Sequence, residues 1–189
     1  MGKLAAFLMV SLDGYFEGSK PWDLEWHNVD DEFNDFAIAQ LDATDTLIFG
    51  RLTYQGMAAY WPSREAIDED PEVASRMNRA PKIVVSRTLD RAEPEWANTR
   101  LLKTDAGEEL SRLKERTKRD LLVLGSSRLT ASLMQAGALD ELRIIVNPVV
   151  LGTGHPILER AGKLSLRLLN ARTFKSGNVL LTYTPAAVS

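Results

Sequence analysis

Apolar residues along the chain gather into short runs at residues 4–12, 46–49, 82–86, 121–124 and 142–150, most of them bounded by Gly, Asp, Ser or Pro. Runs of this kind predict central strands of a sheet covered on both faces. Between them the period changes. Phe33, Phe36, Ala37 and Leu41 recur at helical spacing behind Asp30, Asp31 and Glu32, whose charges suit the positive end of a helix. Asp105 with Glu108 forms a capping box ahead of Leu110 and Leu113, and Asp70 before Pro71 marks another helix start. After residue 140 the order shifts. Residues 166–174 and 178–184 flank Lys175-Ser176-Gly177, a hairpin signal that predicts antiparallel pairing at the end of the chain. Residues 63–70, charged and without apolar periodicity, read as a mobile loop. The pattern predicts one α/β domain over residues 1–189, with a mostly parallel sheet and an antiparallel C-terminal edge.

Composition narrows the function. The 189 residues fit one domain with a sizeable core. Lys and Arg total 23 against 26 Asp and Glu, a net charge of −3 with the signs interspersed, which argues against a nucleic-acid or acidic-membrane binder. With no cysteine, disulfides, thiolate catalysis and Cys-ligated metal are excluded. His27 and His155 are the only histidines and have no paired-ligand spacing, so no metal site is expected. The first apolar run is too short to span a bilayer, and the expectation is a soluble, cytoplasmic protein.

Candidate chemistry lies at the strand ends. Residues 121–124 lead into Gly125-Ser126-Ser127, a strand ending in a glycine and two small hydroxyls before a helical stretch. In open α/β sheets ligands bind beyond the carboxyl ends of strands, where helix N-termini offer unpaired N–H groups to anions. The plainer alternative is that a serine caps the helix and Gly125 turns the chain. A second strand end runs into Gly50-Arg51-Leu52-Thr53, and a third ends in Ser86-Arg87. Either arginine alone reads as a solvated surface charge, but three small-residue ends with two arginines together suit a dinucleotide carrying a pyrophosphate and an extra phosphate.

Taken in order, VSLDGYF, FGRLTYQGMAAYWP, IVVSR, LLVLGSS and LDELRIIVNPVVLGTGHPIL resemble the dihydrofolate reductase-like superfamily, in its branch related to the reductase domain of the bifunctional riboflavin-biosynthesis deaminase/reductase. The resemblance implies a three-layer fold with a mixed sheet of about eight strands. It also implies NADPH as cofactor and hydride transfer to a small heterocyclic or sugar-derived substrate, as in 5-amino-6-(5-phosphoribosylamino)uracil reductase. By position, Gly50, Arg51 and Thr53 would hold the adenosine-side phosphates, and Ser86 and Arg87 would lie near the 2′-phosphate. Gly125, Ser126, Ser127 and Leu129 would surround the pyrophosphate, with Val10, Ser11 and Leu12 lining the nicotinamide. The chain departs from true dihydrofolate reductases after Pro21-Trp22. Where those carry the pterin-binding carboxylate, this sequence has His27, which puts folate in doubt. The upstream deaminase domain is not expected, given the length and the lack of cysteine for zinc.

Asp13, at the end of the first run, is the candidate acid. It either orients substrate and relays a proton, or closes an Asx-turn before Gly14. Trp22, Trp26, Tyr60 and Trp61 could wall a pocket against a flat ring, or pack as core and rim. Two further readings stay open: a dihydrofolate reductase, and a non-catalytic NADP-binding module. Apolar C-terminal strands could bury an edge in a homodimer.

Overall fold

The computed structural model describes residues 1–186. In chain order the elements are β1 Leu4–Ser11, β2 Tyr15–Glu17, α1 Asp31–Asp42, β3 Thr44–Gly50, α2 Arg51–Tyr60, α3 Arg64–Glu69, α4 Pro71–Arg79 and β4 Lys82–Val85. There follow β5 Thr99–Leu102, α5 Ala106–Arg116, β6 Asp120–Leu124, α6 Ser127–Gln135, β7 Glu141–Asn147, β8 His155–Pro156, β9 Leu166–Thr173 and β10 Val179–Pro185. Eight strands form one sheet in the order β5-β4-β3-β6-β1-β7-β10-β9, and β2 pairs separately with β8. The pairings from β5 through β7 are parallel, while β10 runs antiparallel to both β7 and β9.

Each face of the sheet carries its own core. On one side Leu4, Ala6, Leu8, Ile48, Leu121 and Val123 pack under Leu110 of α5 and Leu133 of α6. On the other, Phe7, Leu47, Phe49 and Leu122 pack with Tyr54 and Ala58 of α2, Met77 of α4, and Phe33 and Phe36 of α1. Alternate residues of β1 thus enter opposite cores, as a strand buried on both faces requires.

The expected loop at residues 63–70 is instead helical over α3. Ser63 accepts a hydrogen bond from the Ala66 amide at 3.2 Å and Ala66 is fully buried, so one cap and one apolar anchor suffice where periodicity gave no sign. Asp70 ends this helix and, as expected, caps the next by accepting from Val73. Strand β5 and the small β2–β8 pair had no counterpart in the apolar runs: β5 is TRLL, interrupted by the exposed Arg100, and β2 and β8 have only three and two residues.

Lys82 is buried at the start of β4. Its ammonium donates to the carbonyls of Asn78, Ala80 and Ala97 at 3.1, 2.7 and 3.0 Å and lies 4.4 Å from the centre of the Trp96 ring. Burial pushes its pKa down to about 8.

Candidate active site

Two parallel connections build a crevice between β6 and β1. After β6 the chain passes through α6 on one face to β7, whereas after β1 it passes through α1 on the opposite face to β3. Adjacent strands whose connections leave on opposite faces open a cleft at their carboxyl ends. The register deepens it. Phe7 of β1 is level with Leu124, the last residue of β6, so β1 runs on through Ser11 with β7 alongside, Ser11 opposite Asn147. Those four extra residues make a step of about 13 Å.

The strand ends before the step come together as expected. Gly50 is level with Val85, and its N–H donates to the Ser126 hydroxyl at 2.9 Å, joining the tips of β3 and β6. Gly125 has φ +56, and a Cβ there would lie 3.2 Å from the Thr53 methyl. Glycine therefore serves both the left-handed backbone and the close approach of the two tips.

The caps of the helices divide into two kinds. At α1, α3, α4 and α5 the side chains of Asp30, Ser63, Asp70 and Asp105 each accept from a first-turn amide. At α2 and α6, which begin at the joined tips, Gly50 and Ser126 make no side-chain cap bond. The serines have other tasks: Ser126 receives Gly50, and Ser127 accepts from the Leu158 amide at 2.7 Å. Two helix starts of nine and ten residues thus present uncapped amides side by side at one crevice.

Arg51 and Arg87 are exposed on this side, and Arg51 makes only a long 3.4 Å contact with Gln55. Arg128, in the first turn of α6 and exposed, belongs with them. The signal that singled out Arg51, a cation just past a strand-end glycine, could have found it. Ser86 is buried and accepts from the amides of Thr88 and Leu89, so its hydroxyl closes its own turn. Leu129 is half-buried against the core.

Beyond the step, Val10 and Ser11 are buried while Leu12 is exposed. The Val10 carbonyl accepts from Asn147, and the Ser11 hydroxyl donates to Asp13 at 2.7 Å and accepts from the Tyr15 amide. Asp13 does not close a local Asx-turn. Its carboxylate reaches across to the amides of Leu151 and Gly152, at 3.1 and 2.8 Å. The Ser11 hydroxyl first, then the Gly152 and Leu151 amides, hold it below the usual carboxylate range.

The same two loops are tied again by the β2–β8 pairing and by Glu17, which binds His155 at 2.9 Å and accepts from the Trp22 amide at 3.1 Å. Trp22, with φ +64, lies against Gly56 of α2, where a Cβ would collide with the indole. Of the four aromatic candidates it alone bridges from the loop to α2. Trp26 donates to the Asp23 carbonyl and stacks edge-on against His27. Tyr60 and Trp61 sit at the far end of α2 and pack on each other, with Tyr60 bound to Glu69 and Trp61 to Met57.

His27 is half-buried, its Nε2 has no partner, and burial lowers its pKa to about 4. Next to it, Asn28 binds Asn147 through its amide, the Ser176 carbonyl through its side chain and Asn178 through its carbonyl. Isolated asparagines carry no signal in a sequence, and this network was not foreseen. Among the described residues no three His, Cys, Asp or Glu side chains are grouped to hold a metal ion, and no helix is long and apolar enough to cross a membrane.

The fold is of the dihydrofolate reductase-like class. Dihydrofolate reductase of Enterococcus faecalis, in a complex with NADP(H), superposes with a TM-score of 0.63 at 16% identity over 97% of this chain and 96% of its own. The diaminohydroxyphosphoribosylaminopyrimidine deaminase/5-amino-6-(5-phosphoribosylamino)uracil reductase of Thermotoga maritima gives 0.65 at 16% identity, over 98% of this chain and 57% of that one. Within that class the chain belongs to the RibD C-terminal domain family, whose pattern it matches over residues 3–180. It is 32% identical over 181 residues to the uncharacterized protein YyaP of Bacillus subtilis, covering 93% of this chain and 91% of that protein.

Proposed function

We propose that the protein is an NADPH-dependent reductase of small molecules. The observation that carries this reading is the contrast in caps. Four helices have a side chain on their first amides, while the two that start at the joined tips of β3 and β6 leave theirs for an anion. Two adjacent anion sites, with Arg51 and Arg128 in the first turns and Arg87 at the neighbouring strand end, suit a pyrophosphate plus a further phosphate. The cofactor would supply the hydride.

This chain's residues would bind and orient. The tips of β3 and β6 would hold the phosphates, the extension of β1 at Leu12 would flank the reactive ring, and Trp22 would wall the far side. Asp13 suits positioning: its oxygens are engaged by two amides and a hydroxyl, and a lowered pKa keeps it ionised at neutral pH. The proton that accompanies the hydride would then come from solvent. The substrate would be a small heterocyclic or sugar-derived molecule. Folate fits less well, because His27 offers a neutral ring where a pterin would meet a carboxylate.

Titration with NADPH and NADH, followed by tryptophan emission, tests this. NADPH should bind more tightly, and Arg51→Ala should weaken it by roughly 10- to 100-fold, as expected for a charge-assisted contact. Equal affinity for both would remove the 2′-phosphate assignment, and binding of neither would remove the reductase reading.

A further inference from the structure

We infer that the substrate is a neutral planar molecule carrying no phosphate or carboxylate, selected by a wall of aliphatic and aromatic surface in an acidic field. This rests on the reductase reading and narrows it.

The two sides of the crevice carry opposite charge. On the cofactor side Arg51, Arg87 and Arg128 stand beside the uncapped starts of α2 and α6. The other side is built from residues 10–33, which run from the end of β1 into α1, and from residues 144–158, which run from β7 through β8. The first stretch holds seven Asp and Glu against one cation, Lys20, and the second holds no Asp, Glu, Lys or Arg. His27 is neutral in the working range, and His155 is bound to Glu17 at 2.9 Å. Arg172, arriving from β9, is held by Glu32 at 2.8 Å, while Lys20 and Lys175 are exposed to solvent. An anion approaching this side is repelled.

The backbone amides point to the same conclusion. Those of Leu151 and Gly152 are given to Asp13, that of Trp22 to Glu17, that of Asn28 to Asn147 and that of Tyr15 to Ser11. Where the starts of α2 and α6 leave donors for a phosphate, this wall satisfies its donors internally. A phosphate placed against it would lose water and gain no charge-assisted bond.

Its offer is apolar. Leu12, Val29 and Val150 are exposed at 65%, 53% and 66%. The Leu12 amide donates to the Val149 carbonyl at 2.7 Å, and Asn28, next to Val29, binds the last residue of β7. The three aliphatics thus stand where the ends of β1 and β7 meet the lead into α1. Trp22, seated on Gly56 and tied through its amide to Glu17, adds an indole whose flat face suits a ring.

Calorimetric titration of the protein saturated with NADPH tests this, since the cofactor then fills the phosphate sites at the strand tips. The probes are matched pairs: 5-amino-6-(5-phosphoribosylamino)uracil and uridine 5′-phosphate, each against its dephosphorylated form. The dephosphorylated member should bind at least ~10-fold more tightly. Val29→Arg should abolish that preference, with far-UV circular dichroism unchanged; if it does not fold, Val150→Arg replaces it. A protein that binds no NADPH would overturn the reductase reading and this inference with it. An NADPH-binding protein that prefers the phosphorylated member, takes both equally or takes neither, or a folded arginine variant that keeps the wild-type preference, would overturn the inference alone.

Discussion

The two walls of the crevice are made in different ways. On the β3–β6 side the working groups are backbone amides at strand ends, brought level by parallel pairing and joined by one bond between Gly50 and Ser126. On the β1–β7 side they are side chains from distant segments: Asp13 reaches Gly152 across 139 residues, and Asn28 meets Asn147 across 119. A wall built from backbone tolerates few changes at its glycines and many elsewhere. A wall built from side-chain ties can change its contacts, and hence its guest, while the sheet stays the same.

The most damaging test of the first wall is Gly125→Val. A branched side chain at φ +56 strains the backbone and crowds Thr53, so the tips of β3 and β6 should separate. Dinucleotide affinity should fall roughly 1,000-fold, about 4 kcal/mol, in a direct titration. An affinity within ~10-fold of wild type would mean that the joined tips are not the phosphate site.

The second wall has a pH signature. His27 has a folded pKa of about 4 against an ordinary 6.5, so between these values the unfolded chain binds a proton that the folded one refuses. Stability is therefore full above pH 6.5 and should decline as pH falls toward 4, by about 3 kcal/mol in all. Urea melts of wild type and His27→Leu at several pH values would measure this. Equal slopes in both would assign the loss to other groups.

A smaller effect is expected at Gly56→Leu, which should drive Trp22 off α2. Tryptophan emission should shift to the red and kcat/KM fall by about 10-fold, with the cofactor dissociation constant changed less than ~2-fold. Loss of cofactor affinity in parallel would show that the two walls are not separable.

Asp13→Asn should be milder, lowering kcat/KM by roughly 3-fold without a new break in the pH profile. The wild-type tie, with its lowered pKa, holds above the ordinary carboxylate range and is lost only as pH falls through that depressed value. A loss above ~100-fold would restore Asp13 as the proton relay.

The same contrast explains what the sequence could disclose. The parallel strands were legible because burial on both faces leaves continuous apolar runs, and the backbone wall because strand, glycine and helix start are contiguous in the chain. The α3 helix was not, since its cap and a single buried alanine leave no period. Nor was the side-chain wall. Ser11 and Asp13 mark the end of the first strand, but nothing local says that Asp13 spends its oxygens on residues 151 and 152, or that Gly56 is small to admit Trp22.

Lys82 has a consequence far from the crevice. Three carbonyls converging on one point, backed by an indole face, form a cage of the sort that draws an alkali-metal ion out of solution. Here the cation arrives on its own covalent leash, so the junction of α4, β4 and the loop leading to β5 should hold equally in sodium, potassium or neither.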